Sequence, residues 1–305
     1  MPSFFASSAT DNAVAGLAAG AAATISLHPL DVVKTRFQAD TRAVRPRITL
    51  LNTARALTAI ARAEGARGLY VGLAPNFVGA TASWGLYFFW YTHIKDWMTD
   101  ASSTSSSPPK RLGAREHLVA AAAAGAATSL CTNPIWLVKT RMVLKSSTDA
   151  TRYRGMWDAL STIARTEGIR GLYRGLVPAL FGVSHGAVQF MVYEDLKHRA
   201  ADYRRDHDGE SYLMGQTSEH IAHAVASKTI ASVSTYPYML VKTRLQSSNT
   251  YSGVVDVVRR TMQHEGATAF YKGLGAHLIR VMPGTCITFV VYEQSMAFFK
   301  SHPRY

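Results

Sequence analysis

Three lysines, Lys34, Lys139 and Lys242, stand in one repeated setting, Pro-x-x-x-Val-Lys-Thr-Arg. The copies begin at Pro29, Pro134 and Pro237, so they lie 134 − 29 = 105 and 237 − 134 = 103 positions apart. Each follows a long apolar run, which puts the lysine at membrane depth, where charge is costly and usually functional. Three cations brought together repel unless acids intervene. The position two after the proline holds Asp31 in the first copy and Trp136 and Met239 in the others. That allows one direct acid–lysine pair, Asp31 with a neighbouring lysine. A buried pair of this kind is poor evidence of stability and a good switch element. The pattern predicts a gate of Asp31, Lys34, Lys139 and Lys242 in preference to a solvated cluster at the lipid interface. Gln38 and Gln246, four residues after their lysines, are placed to hydrogen-bond such a pair from beneath, with Val143 in the equivalent place of the second copy.

A second charged ring is expected at the other end. Glu194 and Glu293 can pair there with Lys95 and Lys197, with Thr92 and Met296 as gaps. Between the rings few ionisable residues remain: Lys228, Arg280, His185 and His223. Lys228 and Arg280 suit a phosphate or carboxylate, the arginine through a bidentate fork. His185 and His223 have a weaker case and show no metal-ligand spacing. Trp84, Tyr87, Phe88 and Tyr91 recur at helical spacing. They either stack on a planar heterocycle or face lipid and a neighbouring helix.

These residues need elements to hold them. Segments 12–38, 75–97, 115–143, 178–198, 217–246 and 275–299 are apolar enough to cross a bilayer as helices. The prolines fall inside the first, third and fifth, where each is expected to force a kink. Gly16 and Gly20, and Ala121 and Gly125, offer small-residue spacing for close helix approach. Ala224 and Lys228 occupy those places in the third copy. Leu50–Ala63, Met156–Thr166 and Val254–His264 read as amphipathic surface helices, each ending at Glu-Gly. An aromatic residue and a glycine follow: Tyr70-Val71-Gly72, Tyr173-Arg174-Gly175 and Tyr271-Lys272-Gly273. Thr99–Gly113 and Ala200–Gln216 are linkers between repeats that run 12–98, 114–199 and 216–300. With two spans per repeat, the linkers and both chain ends fall on one side. The Lys-Thr-Arg clusters fall on the other, with Arg42, Arg45 and Arg47. The predicted fold class is an all-α membrane protein: six transmembrane helices in three pseudo-symmetric repeats, with short surface helices.

Composition narrows the function. The net charge is +13, with 48% hydrophobic residues and a mean hydropathy near zero. A basic chain favours anionic partners. Nucleic acid is set aside, since no known reader motif is present. Phosphate loops, His-Glu-x-x-His and dinucleotide fingerprints are missing from the sequence, which argues against an enzyme. No metal is expected. Cys131 and Cys286 read as small buried hydrophobes. The first ten residues carry no basic residue, so no cleavable targeting peptide is expected.

The repeated marks resemble the mitochondrial carrier family over residues 12–299. That family's pattern is Pro-x-Asp/Glu-x-x-Lys/Arg, then Glu/Asp-Gly, then aromatic-Lys/Arg-Gly. This chain departs from it at Trp136, Met239 and Val71. The resemblance implies a monomeric carrier of the mitochondrial inner membrane, with both termini in the intermembrane space. The Lys34 ring would be its matrix gate, and Lys95, Glu194, Lys197 and Glu293 its cytoplasmic gate. It implies cardiolipin at Gly72, Arg174, Gly175, Lys272 and Gly273. Pro134-Ile135-Trp136, Gly182-Val183-Ser184-His185-Gly186, Ser227-Lys228 and Leu278-Ile279-Arg280-Val281 are similar to the FAD/folate subgroup. The expected solute is FAD first, folate second, NAD or a pyrimidine nucleotide third. FAD or folate would be transported, not held as a cofactor. Lys228, Arg280, Trp84, Tyr87, Phe88, Ser184 and His185 would contact it. The solute would bind near mid-membrane and be exposed to each side in turn. A membrane adaptor that had lost transport would need neither the gate lysines nor Lys228.

Overall fold

A computed structural model describes residues 8–42, 50–102, 113–145, 152–206 and 216–301. Among them the elements are α1 (Ser8–Ala39), α2 (Leu50–Leu69), α3 (Leu73–Ser102), α4 (Ala114–Leu144), α5 (Met156–Leu172), α6 (Leu176–Leu180), α7 (Gly182–Asp206), α8 (Gln216–Ser247), α9 (Val254–His264) and α10 (Leu274–Ser301). A 3-10 turn, Ala267–Tyr271, precedes α10. Arg45, Arg47 and the centres of both linkers lie outside the described residues.

Each repeat runs long helix, surface helix, long helix. Neighbouring repeats meet where α3 lies along α4, α7 along α8, and α10 along α1, which closes the ring. The first long helices of the repeats, α1, α4 and α8, also touch one another. Thr10–Ala39, Arg115–Leu144, Leu176–Tyr203 and Ala267–Ser301 are long and apolar enough to cross a membrane. Helices α1, α4 and α8 each continue through their proline. One expected span is divided: the 178–198 segment breaks between α6 and α7 at Phe181.

The surface helices are held by apolar burial. In repeat two, Ala159 and Ile163 of α5 pack against Leu137 and Val138, just before Lys139. Val257 of α9 meets Val241 and Leu245, and Ile60 of α2 meets Val32 and Val33. Ile163 is fully buried, which contributes about 1.5–3 kcal/mol. Trp157 and Val255, near the starts of α5 and α9, stay exposed, so these helices are two-faced. Gly65, Gly168 and Gly266 turn the chain at positive φ (71°, 69° and 81°) after each Glu.

Two packing expectations need correction. Gly16 and Gly20 have nothing near a Cβ position, whereas Ala15 and Ala19, one position earlier, are fully buried. The face that meets a neighbour is rotated by one residue. Cys131 and Cys286 are exposed rather than buried.

Candidate functional site: a threefold gate and the cavity above it

The arginine of each Lys-Thr-Arg joins two repeats. Arg36 makes a two-pronged pair with Glu64 (2.6 and 2.9 Å), and its Nε donates to the carbonyl of Val143 in repeat two (3.1 Å). Arg141 grips Glu167 in the same way, and its Nε donates to Gln246 O in repeat three (3.0 Å). Arg244 holds Glu265 (2.6 and 2.9 Å) and donates to Gln38 O in repeat one (3.1 Å). Charge-assisted bidentate bonds of this sort are short and strong. Burial alone would raise the carboxyls of Glu167 and Glu265. Bonds from Arg141, and from Arg244 and Lys272, outweigh it and hold both below the usual glutamate range. The sequence presented these glutamates only as helix-end marks. Their recurrence about thirty residues after each proline was the signal for an ionic partner.

The threonines add a second circle. Gln38 accepts from Thr243 (2.9 Å) and Gln246 from Thr140 (3.0 Å), each across a repeat boundary. The glutamines were expected to support an acid–lysine pair from beneath. They meet the threonines instead, because the helices cross with residue 38 beside residue 243. Val143 leaves the third place without an amide.

At the centre lies Asp31, 4% exposed. Its Oδ1 accepts from Arg280 Nη1 at 2.6 Å, and its Oδ2 lies 3.9 Å from Lys139 Nζ. The Asp31–lysine contact is therefore with Lys139. Arg280 was assigned to a solute site apart from the gate. It reaches Asp31 because α10 lies along α1. Lys34 and Lys242 line the same cavity, and among the described residues no carboxylate forms an ion pair with either. Trp136, in the place of a gate acid, donates Nε1–H to Ser83 Oγ (3.3 Å), and Lys139 Nζ sits 5.4 Å from its ring centre.

Above this floor opens a cavity of about 360 Å³. Lys34, Trp136, His185, Tyr238 and Arg280 are among its lining residues. His185 Nδ1 donates to Thr235 Oγ1 (2.8 Å), whose own hydrogen goes to Ala231 O (2.6 Å). That leaves the other ring nitrogen of His185 as an acceptor. Lys228 lies within electrostatic reach of Arg280 and His185. Ser184 is exposed and bonds Phe181 O (2.5 Å). Trp84 and Phe88 are exposed and stack on each other (5.9 Å between rings), with Tyr87 edge-on to both. His223 packs edge-on against Tyr193 (6.5 Å). The sequence reading missed Tyr238 and His277; His277 bonds Ser232 Oγ (3.2 Å) beside this cavity.

At the termini end the expected cross-helix pairs are not formed. Glu194 approaches Lys197 and His198 of its own helix, each at 3.8 Å. Among the described residues no ion pair links Lys95 or Glu293 to another helix there. Contacts between repeats there run instead through Tyr91 Oη with His117 Nδ1 (2.9 Å) and Tyr292 Oη, which donates to Asn12 Oδ1 (2.8 Å).

The aromatic-x-Gly motifs also differ from expectation. Lys272, 6% exposed, ties Glu265 and the carbonyls of Asp40 and Arg42. Arg174 donates to the carbonyls of Ser248 and Tyr251 (3.2 and 3.3 Å). Both basic side chains thus serve the next repeat's loop. Gly72, Gly175 and Gly273 press on the next repeat: a Cβ there would lie 3.4, 3.2 and 3.0 Å from the carbonyl oxygens of Lys139, Lys242 and Lys34. Only at Val71 is the basic residue missing. Beside it lies a cavity of about 230 Å³ lined by Arg67, Lys145, Arg152 and Arg154.

A closed threefold ring of membrane helices, with an ionic floor under a central cavity, defines a membrane carrier. The chain matches the mitochondrial carrier protein family over residues 5–102, 110–204 and 215–303, and it belongs to that family. It is 42% identical over 303 residues to a chloroplastic folate transporter of Arabidopsis thaliana, covering 96% of each chain. It is 37% identical to a mitochondrial nicotinamide adenine dinucleotide transporter of the same plant, over 95% of this chain and 79% of the relative. It is 32% identical to a mitochondrial FAD carrier of Saccharomyces cerevisiae, over 92% of this chain and 94% of the relative.

Proposed function

We propose that this carrier moves a flat-ringed anionic cofactor of the folate and FAD class across the mitochondrial inner membrane by alternating access. One observation carries the reading: Asp31 is shared by Arg280 and Lys139 at the floor of the cavity. An incoming carboxylate or phosphate competes with Asp31 for Arg280. Once Arg280 turns to the solute, the floor loses its pair between repeats three and one, and Asp31 is left to Lys139. A solute opens only a gate for whose released state it has the greater affinity. Trp136 and Tyr238 supply ring surfaces, and Lys228 a second cation, higher on the wall.

Folate leads here and FAD follows, reversing the order taken from sequence. The reason is the 42% identity to a folate transporter against 32% to an FAD carrier. The cavity beside Val71 suits an anionic lipid headgroup such as that of cardiolipin. One chain closes the ring, so the working unit is a monomer. Both termini face the intermembrane space and the Lys-Thr-Arg end faces the matrix.

The test is uptake into vesicles holding purified protein, with folates, FAD, FMN and NAD offered singly, alongside melting of the protein with each. A bound solute at a hundred times its Kd adds about 2.7 kcal/mol of stability. Arg280→Ala and Lys228→Ala should each abolish uptake while the protein stays folded. Wild-type rates in either variant would remove that residue from the site. Uptake of none of the four solutes would overturn the assignment.

A further inference from the structure

The residue before each repeat's proline makes the same bond in all three repeats, through three different side chains. His28 Nε2 donates to Val71 O (3.0 Å), Asn133 Nδ2 to Arg174 O (3.4 Å) and to Leu172 O (2.8 Å), and Tyr236 OH to Lys272 O (2.9 Å). All three side chains are 2% exposed or less. An imidazole, an amide and a phenol share little beyond an N–H or O–H donor, so donation is what the position requires. The common acceptor immediately precedes Gly72, Gly175 and Gly273. Those glycines abut the backbone carbonyls of Lys139, Lys242 and Lys34 in the following repeat.

We propose that His28, Asn133 and Tyr236 are positioning residues for the gate. Each fixes the start of the second long helix in its own repeat, and that helix start sets where the next repeat's gate lysine stands. His28 thereby positions Lys139, Asn133 positions Lys242, and Tyr236 positions Lys34. In repeat one the ring is held as a neutral donor. Its Nε2 hydrogen goes to Val71 O, and its Nδ1 faces the Asn76 amide nitrogen (3.4 Å) as acceptor. His28 is therefore a strut and not a proton carrier.

The test uses the full chain in detergent and in vesicles, with His28→Ala, His28→Asn and Tyr236→Phe. Hydrogen–deuterium exchange needs no solute. In His28→Ala, exchange should rise about tenfold over 70–76 and over 138–143, the size expected for one lost buried hydrogen bond, and stay unchanged over 242–247. Tyr236→Phe should move the disturbance to 272–277 and 34–38. His28→Asn, which borrows the donor of repeat two, should restore the wild-type pattern. In vesicles, His28→Ala should lower turnover with KM unchanged, and His28→Asn should recover it with the same pH profile as wild type. Uniform loosening across the repeats would reduce the residue to a packing role. Failure of His28→Asn to restore exchange, or a changed pH profile in that variant, would also overturn the proposal.

Discussion

The two ends of the bundle carry similar side chains and use them differently. At the Lys-Thr-Arg end the arginines cross every repeat boundary, while the threonines and the shared aspartate each cross two of the three. At the termini end, Glu194 turns to Lys197 of its own helix, with both groups partly exposed to solvent. Charge content does not distinguish the ends; where the partners stand does. Where α1 meets α4 and α10 lies along α1, one acid, Asp31, serves cations on two other helices, Lys139 and Arg280. At the other end Glu194 has its cations on its own helix, and contacts between repeats run through Tyr91 with His117 and Tyr292 with Asn12. A pair such as Glu194–Lys197 is worth about 0–1 kcal/mol, so that end is cheaper to rearrange than the crossed end.

The contrast is broken most severely at Arg244, 1% exposed in its pair with Glu265. Arg244→Ala leaves Glu265 to Lys272 alone and removes the bond to Gln38 O; it should cost about 3 kcal/mol, read as a lower melting temperature and a poor yield of folded protein. Next is Asp31→Asn, which removes the acid common to Lys139 and Arg280. Transport should fall by about tenfold or more, for loss of a charged partner worth some 1.5–3 kcal/mol, and a cysteine placed by Thr140→Cys should become reachable from the Lys-Thr-Arg side. Wild-type uptake with that cysteine still protected would reject the shared-acid gate. Acid should loosen the crossed end too. The carboxyls of Glu167 and Glu265 sit below their unfolded value of about 4.5, so their stabilisation is complete above that pH. It is lost as pH falls through their lower folded values, and Glu265→Gln should flatten that limb of a melting-versus-pH curve. Val143→Gln sharpens the comparison by supplying the missing amide opposite Thr35. It should add about 1 kcal/mol and slow turnover; faster turnover would mean the amide circle does not resist opening. Smallest is Glu194→Gln, which should shift stability by no more than about 0.5 kcal/mol.

Much of the molecule was legible because the repeats copy one another. Two long helices per repeat, three surface helices and the Glu-Gly bends follow from apolar runs and glycine placement, though among the described residues four of the six expected spans are apolar enough to cross a membrane. The Asp31–lysine contact was readable from a simple shortage of acids. What stayed hidden depends on helix rotation and crossing. A one-residue rotation puts Ala15 and Ala19, not Gly16 and Gly20, against a neighbour. The crossing of α1 with α8 gives Gln38 to Thr243. Arg280 reaches Asp31 only because α10 closes the ring on α1, a contact between positions far apart in the chain. The pre-proline donors were invisible for a further reason: histidine, asparagine and tyrosine look unrelated until their common acceptor is seen. The break at Phe181 was hidden because a glycine inside an apolar run is also compatible with an unbroken span.

That interruption sets one wall of the carrier apart from the other two. The second long helix of repeat two is split between α6 and α7, whereas α3 and α10 run as single pieces. Short α6 is anchored through Gly175 to repeat three, while α7 begins beside His185 at the rim of the cavity. Phe181 keeps right-handed helical geometry (φ −65°, ψ −14°), so the wall bends its bonding over one turn without parting, and the anchored foot and the cavity rim stay on one continuous rod.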